Sequence, residues 1–432
     1  MEAVIIINYV ISIIFTFCYV YQMFYVLIGL GKKNEIKDAE KSHSYAIVVA
    51  ARNEANVIGE FIKSVKNQTY DEDLIDIFVI ADNCTDDTAE VARQAGAFVY
   101  ERENKELVGK GYALDWFFAN LREEGKNTKY EAYIVFDADN VLSKEFVFEM
   151  NKVFDSGYRI ITSYRNSKNY DTNWISAGYS LWFLREAKYL NNARMKLGTS
   201  CAISGTGFLV SADIIEENGG WVHHLLTEDI EFTTDSIIKG EKIGYCENAV
   251  LYDEQPTTLK QSYLQRLRWA KGFYQVFSHY GKGLFKRAIK GKFSAFDMLM
   301  TVSPTMLLTL VSMIMNIIAV CVGVAIDSEH LPRMIRTAIG TFLSFYGLIF
   351  ALGFITTITE WKRIHCKPIK KIFYLFTFPL FQFTYVPISV IALFRKVEWT
   401  PIKHSVSKNL EEICEDEHII EDKEKDDELV KK

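Results

Sequence analysis

Residues 45–51 read YAIVVAA and run directly into Arg52-Asn53-Glu54. An uncharged run of this length describes a strand buried on both faces, and the charged triplet describes a loop at its carboxyl end. Outward from it, an amphipathic helix is expected through Val65 and a second strand over Ile75–Ala81. A helix follows over Thr85–Gln94, with Thr85 as its cap and acidic residues in its first turn. Lys110–Leu121 reads as a third helix, and Tyr133–Phe136 as a strand ending in Asp137-Ala138-Asp139. This alternation predicts an α/β domain built on a mostly parallel sheet with helices on both faces. Ligands of such sheets sit beyond the carboxyl ends of the strands. Three polar clusters fall there: Arg52–Glu54, Asp82–Asp87 and Asp137–Asp139.

The 432 residues are 49% hydrophobic and 24% charged, with a mean hydropathy of +0.02. That excludes a disordered chain and is apolar for an ordinary soluble one. The net charge of −6 lacks the basic excess of a nucleic-acid binder, so no nucleic-acid partner is expected. Residues 405–432 hold 11 acidic and 5 basic side chains, so the acidity belongs to a tail over 395–432 and the remainder is neutral. Seven dispersed cysteines with no C-x-x-C pair read as reduced thiols.

Charges bracket four apolar stretches: Ala3–Gly31, Met298–Ile326, Thr337–Thr359 and Ile372–Phe394. A bilayer-spanning helix needs about 20 such residues. The first stretch is too long for a signal-peptide core and reads as an anchor over 1–31, with about three further segments over 298–394. The fourth holds Pro379 and Pro387 and is expected either to kink or to enter and leave on one side. Basic residues follow the first stretch, precede the second and fill the loop before the fourth, which places the domain over 40–260 in the cytoplasm of a multi-pass membrane protein. The tail falls outside if the fourth segment crosses, and inside if it is re-entrant. Within 261–297, the stretch Gln261–Phe296 holds eight Lys/Arg and interleaved aromatic residues without an acid, a pattern for basic helices lying on membrane lipid.

Each polar cluster has two readings. Asp137 and Asp139 project to one face of an extended backbone and suit Mg²⁺ or Mn²⁺ bridging a diphosphate, or they sit in a solvated loop. Asp82 either accepts hydrogen bonds from a base or ribose or caps the next turn. Lys110 either holds phosphate at a helix start or is exposed. In Thr227-Glu228-Asp229, one carboxylate is a candidate general base, the alternative being a helix N-cap. Gln265-Arg266-Leu267-Arg268-Trp269 offers guanidinium groups for a diphosphate and an indole to stack on a sugar, or simply begins the basic helix. No dinucleotide or P-loop glycine motif is present, and Gly205-Thr206-Gly207 lacks a third glycine.

In this order the clusters resemble the processive, inverting family 2 glycosyltransferases, the group of cellulose, chitin, hyaluronan and poly-N-acetylglucosamine synthases. The matching elements are Ala51–Glu54, the run 82–88, Gly109-Lys110-Gly111, Asp137–Asp139, Gly205–Gly207, Thr227–Asp229 and Gln265–Trp269, within about Tyr45 to Phe277. The resemblance implies a GT-A, Rossmann-like domain with flanking transmembrane helices and a UDP-sugar donor. It implies that Ala51, Arg52, Glu54, Asp82 and Lys110 contact the nucleotide and that Asp137 and Asp139 hold Mg²⁺ or Mn²⁺ and UDP. Asp229, beside Glu228, would be the base, with Gln265, Arg266, Arg268 and Trp269 at the diphosphate and acceptor. The chain departs from the pattern in carrying Ala81 where an acid is frequent. It also has one helix before the domain, so a full polymer channel is not implied. The expected function is transfer of a sugar to a growing β-linked polysaccharide. The alternatives are a non-processive transferase acting on a membrane lipid (diacylglycerol or polyprenyl phosphate) and an inactive membrane scaffold.

Overall fold

The computed structural model describes residues 2–32, 36–303, 306–325, 331–402 and 404–414. After helix α1 (Glu2–Leu30), the first half of the α/β domain comprises β1 (Tyr45–Ala51), α2 (Ile58–Lys66), β2 (Ile75–Asp82), α3 (Thr88–Gln94), β3 (Phe98–Arg102), α4 (Lys110–Glu123) and β4 (Ala132–Asp137). The second half continues with β5 (Val141–Leu142), α5 (Phe146–Asp155), β6 (Ile160–Ser167), α6 (Trp174–Arg185), a π-helical turn (Glu186–Asn191) and α7 (Asn192–Lys196). It closes with β7 (Phe208–Ser211), α8 (Ala212–Glu217), α9 (Glu228–Lys239) and β8 (Ile243–Asp253).

The strands form one sheet in the order β3-β2-β1-β4-β7-β6-β8-β5. β3, β2, β1 and β4 are mutually parallel, whereas β7 pairs antiparallel with both β4 and β6. The sheet is therefore mixed, and its parallel half is the part the sequence showed. Alternation along β1 sends Ala46 and Val48 into a core with α4 and α6, and Tyr45, Ile47 and Val49 into a second core with α2 and α5. Both faces are covered, which is why β1 has no polar residue to spare for solvent. The register pairs Ala51 with Ala81 and Ala50 with Asp137, so the three polar clusters emerge level at one edge.

One local expectation fails. Thr85 does not cap α3, which begins at Thr88 with Asp87 as its N-cap residue. The Thr85 N–H instead donates to Asn53 Oδ1 at 2.7 Å, joining the loops after β1 and β2. Asn53 and Asn83, directly beyond those strands, both take positive φ (59° and 54°), a conformation that Asn tolerates better than most residues.

The remaining helices are the basic α10 (Leu259–Ala288) and the apolar α11 (Phe293–Val302), α12 (Met306–Ala325), α13 (Leu331–Thr359), α14 (Pro368–Phe383) and α15 (Tyr385–Phe394). Among the described residues three segments, Ile6–Leu30, Leu331–Thr359 and Pro368–Phe394, are long and apolar enough to cross a membrane. Met298–Ile326 is not the single span expected. α11 ends at Val302 because Ser303, which precedes Pro304, is extended (ψ 147°). The fourth segment divides at Thr384 and at neither proline. Pro379 lies inside α14, and Pro387 lies in the first turn of α15, where its missing N–H costs little.

Both ends of Pro368–Phe394 rest on the α/β domain. Before it, Asn166 Nδ2 donates to the Arg363 carbonyl (2.8 Å) and Lys370 pairs with Asp171 (2.9 Å). After it, Lys168 Nζ donates to the Val406 carbonyl (3.0 Å), and the Ser405 and Val406 N–H groups donate to Glu254. Both flanks of the segment thus lie against the α/β domain, and the start of the tail lies beside it. The acidic run 415–432 falls outside the described residues.

Candidate active site

A cleft of about 250 Å³ opens at the strand-end edge. Ala51, Arg52 and Glu54 line it from the loop after β1, Asp82 from β2, Asp137 and Asp139 from β4, and Glu228 and Asp229 from the start of α9. Lys110, the first residue of α4, reaches across to Asp137 Oδ1 (2.6 Å) and the Gly205 carbonyl (2.9 Å), so it is not a free surface lysine. Gly207 is required where it stands, with φ +63°. A Cβ there would lie 2.0 Å from Leu251 Cδ2 and 2.5 Å from Ser163 Oγ.

Asp82 neither caps a turn nor stands free: it is buried, ion-paired with Arg102, and accepts from Asn83 Nδ2 (3.0 Å). The capping reading of Thr227 also loses, because its hydroxyl makes no cap bond and is buried without a partner. Burial works against ionisation in the adjacent pair. It pushes Glu228 up to about 7, helped by Asp229, and raises Asp229 as well despite the pull of Lys110 and Arg165. Two carboxylates this close titrate together.

The Gln265–Trp269 cluster separates by helix face. Gln265, Arg268 and Trp269 line the cleft, and the buried Gln265 Oε1 and Arg268 Nε have no hydrogen-bond partner among the described residues. Arg266 does not join them, contrary to its expected place at the diphosphate. One residue along a helix is a rotation of about 100°, which turns it toward α14. There it donates to Thr384 Oγ1 (2.7 Å) and the Phe381 carbonyl (3.2 Å) and lies over the Phe381 ring.

Several lining residues had no signal in the sequence reading. Asp253 ends β8 as Asp137 ends β4, and it pairs with Arg165 and Gln255 Nε2 (2.6 Å). Trp399 and His404 come from the start of the tail. Trp399 lies against Arg52 (5.5 Å) and Arg268 (6.0 Å), and His404 Nδ1 meets Glu54 Oε1 at 2.9 Å. Burial opposes the His404 cation, yet Asp139, Glu54 and Glu254 push it up to about 10. Asp139 is raised by burial but ends below the usual carboxylate range, because His404, Lys168, the Glu254 N–H and Arg165 surround it.

Among the described residues no group of three or more His, Cys, Asp or Glu is arranged to hold a metal. Asp137 and Asp139 nevertheless fit one carried in with a diphosphate. Mg²⁺-like ions take one or two carboxylates and complete their shell with phosphate oxygens and water. Lys110 engages only Oδ1 of Asp137, and the Glu254 N–H engages only Oδ2 of Asp139.

A second cavity, of about 300 Å³, adjoins the cleft and is walled by α1, α6, α10, α11, α14 and α15. Trp182, Glu186, Ile230, Trp269 and Phe273 line both spaces.

Comparison with known proteins agrees with this layout. The family model described as "Glycosyltransferase like family 2" matches residues 43–272. A beta-monoglucosyldiacylglycerol synthase of Nostoc sp. is 28% identical over 267 residues, which is 59% of this chain and 54% of that protein. A poly-beta-1,6-N-acetyl-D-glucosamine synthase of Staphylococcus aureus is 23% identical over 252 residues, 57% of this chain and 58% of that one. The match therefore spans little more than half the length of these relatives. Among solved structures, a mannosyltransferase of Pyrobaculum calidifontis in complex with GDP-Man and Mn²⁺ shares the fold. Its TM-score is 0.59 at 14% identity, covering 90% of this chain and 99% of that one.

Proposed function

The chain belongs to glycosyltransferase-like family 2, and on that premise we propose that it transfers a sugar from a UDP-sugar to an acceptor hydroxyl, with inversion at the anomeric carbon. The observation that carries this reading is convergence. Lys110, Asp137, Asp139, Glu228, Asp229 and the unpartnered polar atoms of Gln265 and Arg268 line one cleft.

In this reading Ala51, Arg52, Glu54 and Asp82 hold the nucleoside end, and Lys110 and Arg268 face the diphosphate. Mg²⁺ or Mn²⁺ held by Asp137 and Asp139 supplies, when bound, further positive charge to the phosphates. Asp229 accepts the acceptor's hydroxyl proton as that oxygen attacks C1. The C1–O bond to phosphate breaks on the opposite face, and UDP leaves with the electron pair, its charge met by Lys110 and Arg268. Burial holds Asp229 above the ordinary aspartate range, which suits it to take up a proton. Trp399, against Arg52 and Arg268, covers the cleft from the tail side.

The acceptor approaches through the second cavity, which begins at Trp269. We take the acceptor as a growing polysaccharide and the catalytic domain as lying on the cytoplasmic face of the membrane, a reading that the basic loops support. The small number of apolar spans and the likeness to a glycolipid synthase favour a membrane lipid as the second reading. The intact carboxylates weigh against an inactive scaffold.

The test uses purified full-length chain in lipid, a panel of UDP-sugars, and Mg²⁺, Mn²⁺ or EDTA. Metal-dependent UDP release is expected with at least one donor. A ladder or high polymer supports the synthase, a single lipid-soluble product supports the second reading, and no UDP release with any donor overturns transfer altogether.

A further inference from the structure

Five side chains line both the cleft and the adjoining cavity, and four of them, Trp182, Ile230, Trp269 and Phe273, are apolar or aromatic. The fifth is Glu186, so the only charge at the passage between the two spaces, among the described residues, is one carboxylate. That carboxylate makes no hydrogen bond or ion pair with another described residue, although Arg185 beside it donates to Gln22 Oε1 (3.2 Å). Glu186 is half-buried, and a carboxylate partly withdrawn from water with no partner among the described residues is open to a ligand's hydroxyls. Its backbone setting is also unusual. Glu186 opens the π-helical turn that interrupts α6 and α7, and such turns shift a side chain off the regular helical face, frequently at functional sites.

We propose that Glu186 binds the hydroxyl groups of the acceptor's terminal sugar and presents one of them to Asp229, so that the acceptor ends in a saccharide and not in a bare lipid alcohol. This rests on the transfer reading above and deepens it. The surrounding chemistry suits a sugar ring: indoles at 182 and 269 offer apolar faces for its C–H groups, and the carboxylate accepts from its hydroxyls. A diacylglycerol would present one hydroxyl on an acyl body and leave the carboxylate facing hydrocarbon. Burial holds Glu186 above the ordinary carboxylate range, with Asp229 adding to it and Arg194, Arg165 and Arg185 opposing, which places it in the electrostatic field of the base.

The experiment measures UDP release by the full-length chain in lipid, with the UDP-sugar that turns over in the panel. The added acceptors are glucose- or N-acetylglucosamine-based oligosaccharides, or diacylglycerol vesicles. Oligosaccharide is expected to accelerate release. In Glu186→Gln the acceptor KM should rise about tenfold or more, while the Kd for UDP, which also reports folding, stays unchanged. Glu186→Asp should recover part of the loss, as a purely structural role would not require. Unchanged acceptor KM in Glu186→Gln, or acceleration by diacylglycerol and by no saccharide, overturns this inference and leaves the transfer reading standing. A wild-type chain that releases no UDP overturns both.

Discussion

The cleft and the cavity beside it are built in opposite ways. The cleft takes its residues from strand ends and helix starts, in short motifs whose polar side chains are contiguous in sequence: 52–54, 137–139, 227–229. The cavity takes Tyr19, Trp182, Glu186, Trp269, Thr301 and Tyr385 from six separate elements, none of them part of a motif except Trp269. A charged ligand demands fixed charges at fixed spacing, and a strand end supplies these locally. A chemically variable ligand is held by apolar walls that only tertiary packing assembles. The donor half should therefore fail through charge, and the acceptor half through shape and hydroxyl contacts.

The largest expected effect is at their junction. Asp229→Asn should lower transfer by about 10²–10⁴-fold with UDP affinity nearly intact, as read from single-turnover UDP release beside a UDP titration. A variant that keeps turnover removes Asp229 from the role of base. Next, Asp139→Ala should weaken UDP binding about 10–100-fold in Mg²⁺ or Mn²⁺ and much less in EDTA. Equal weakening in both conditions would detach Asp139 from the metal. Arg268→Ala should cost about a hundredfold in kcat. Arg266→Ala, one residue away but facing α14, should lower stability by about 1–3 kcal/mol and leave UDP affinity unchanged, as measured by unfolding in detergent. If the two arginine variants behave alike, the division by helix face is wrong.

The smallest effect is in pH. The base must be unprotonated, and burial raises both members of the Glu228–Asp229 pair, Glu228 to about 7. kcat/KM should therefore fall as pH drops through the neutral range. An acid limb near pH 4 would mean that the pair is solvated.

The parallel half of the fold was legible because β1 and β4 are apolar runs and β2 is one from Ile77 to Ala81, each ending in a charged cluster. The antiparallel half was not. β7 is four residues long and β6 ends in polar residues, so neither carries a periodic signature. In the site, the motif carboxylates and Lys110 line one cleft, whereas Arg266 shows that a motif does not say which helix face each member occupies. Trp399 and His404 lie more than 100 residues beyond Trp269 and reach the cleft because the chain after Phe394 packs back against the α/β domain. No local pattern encodes that return. Glu186 was hidden for another reason: its half-buried place between the two spaces, without a partner among the described residues, is visible only once the walls around it are assembled.

The account rests on a single displacement carried out where cleft and cavity meet. The stereochemistry of the product tests it most directly, with the anomeric configuration of the first transferred sugar read by NMR from an α-linked UDP-sugar. A β-linkage is the result expected when the acceptor oxygen attacks opposite the diphosphate with Asp229 as base. An α-linkage would require a different arrangement of nucleophile and leaving group and would contradict the account.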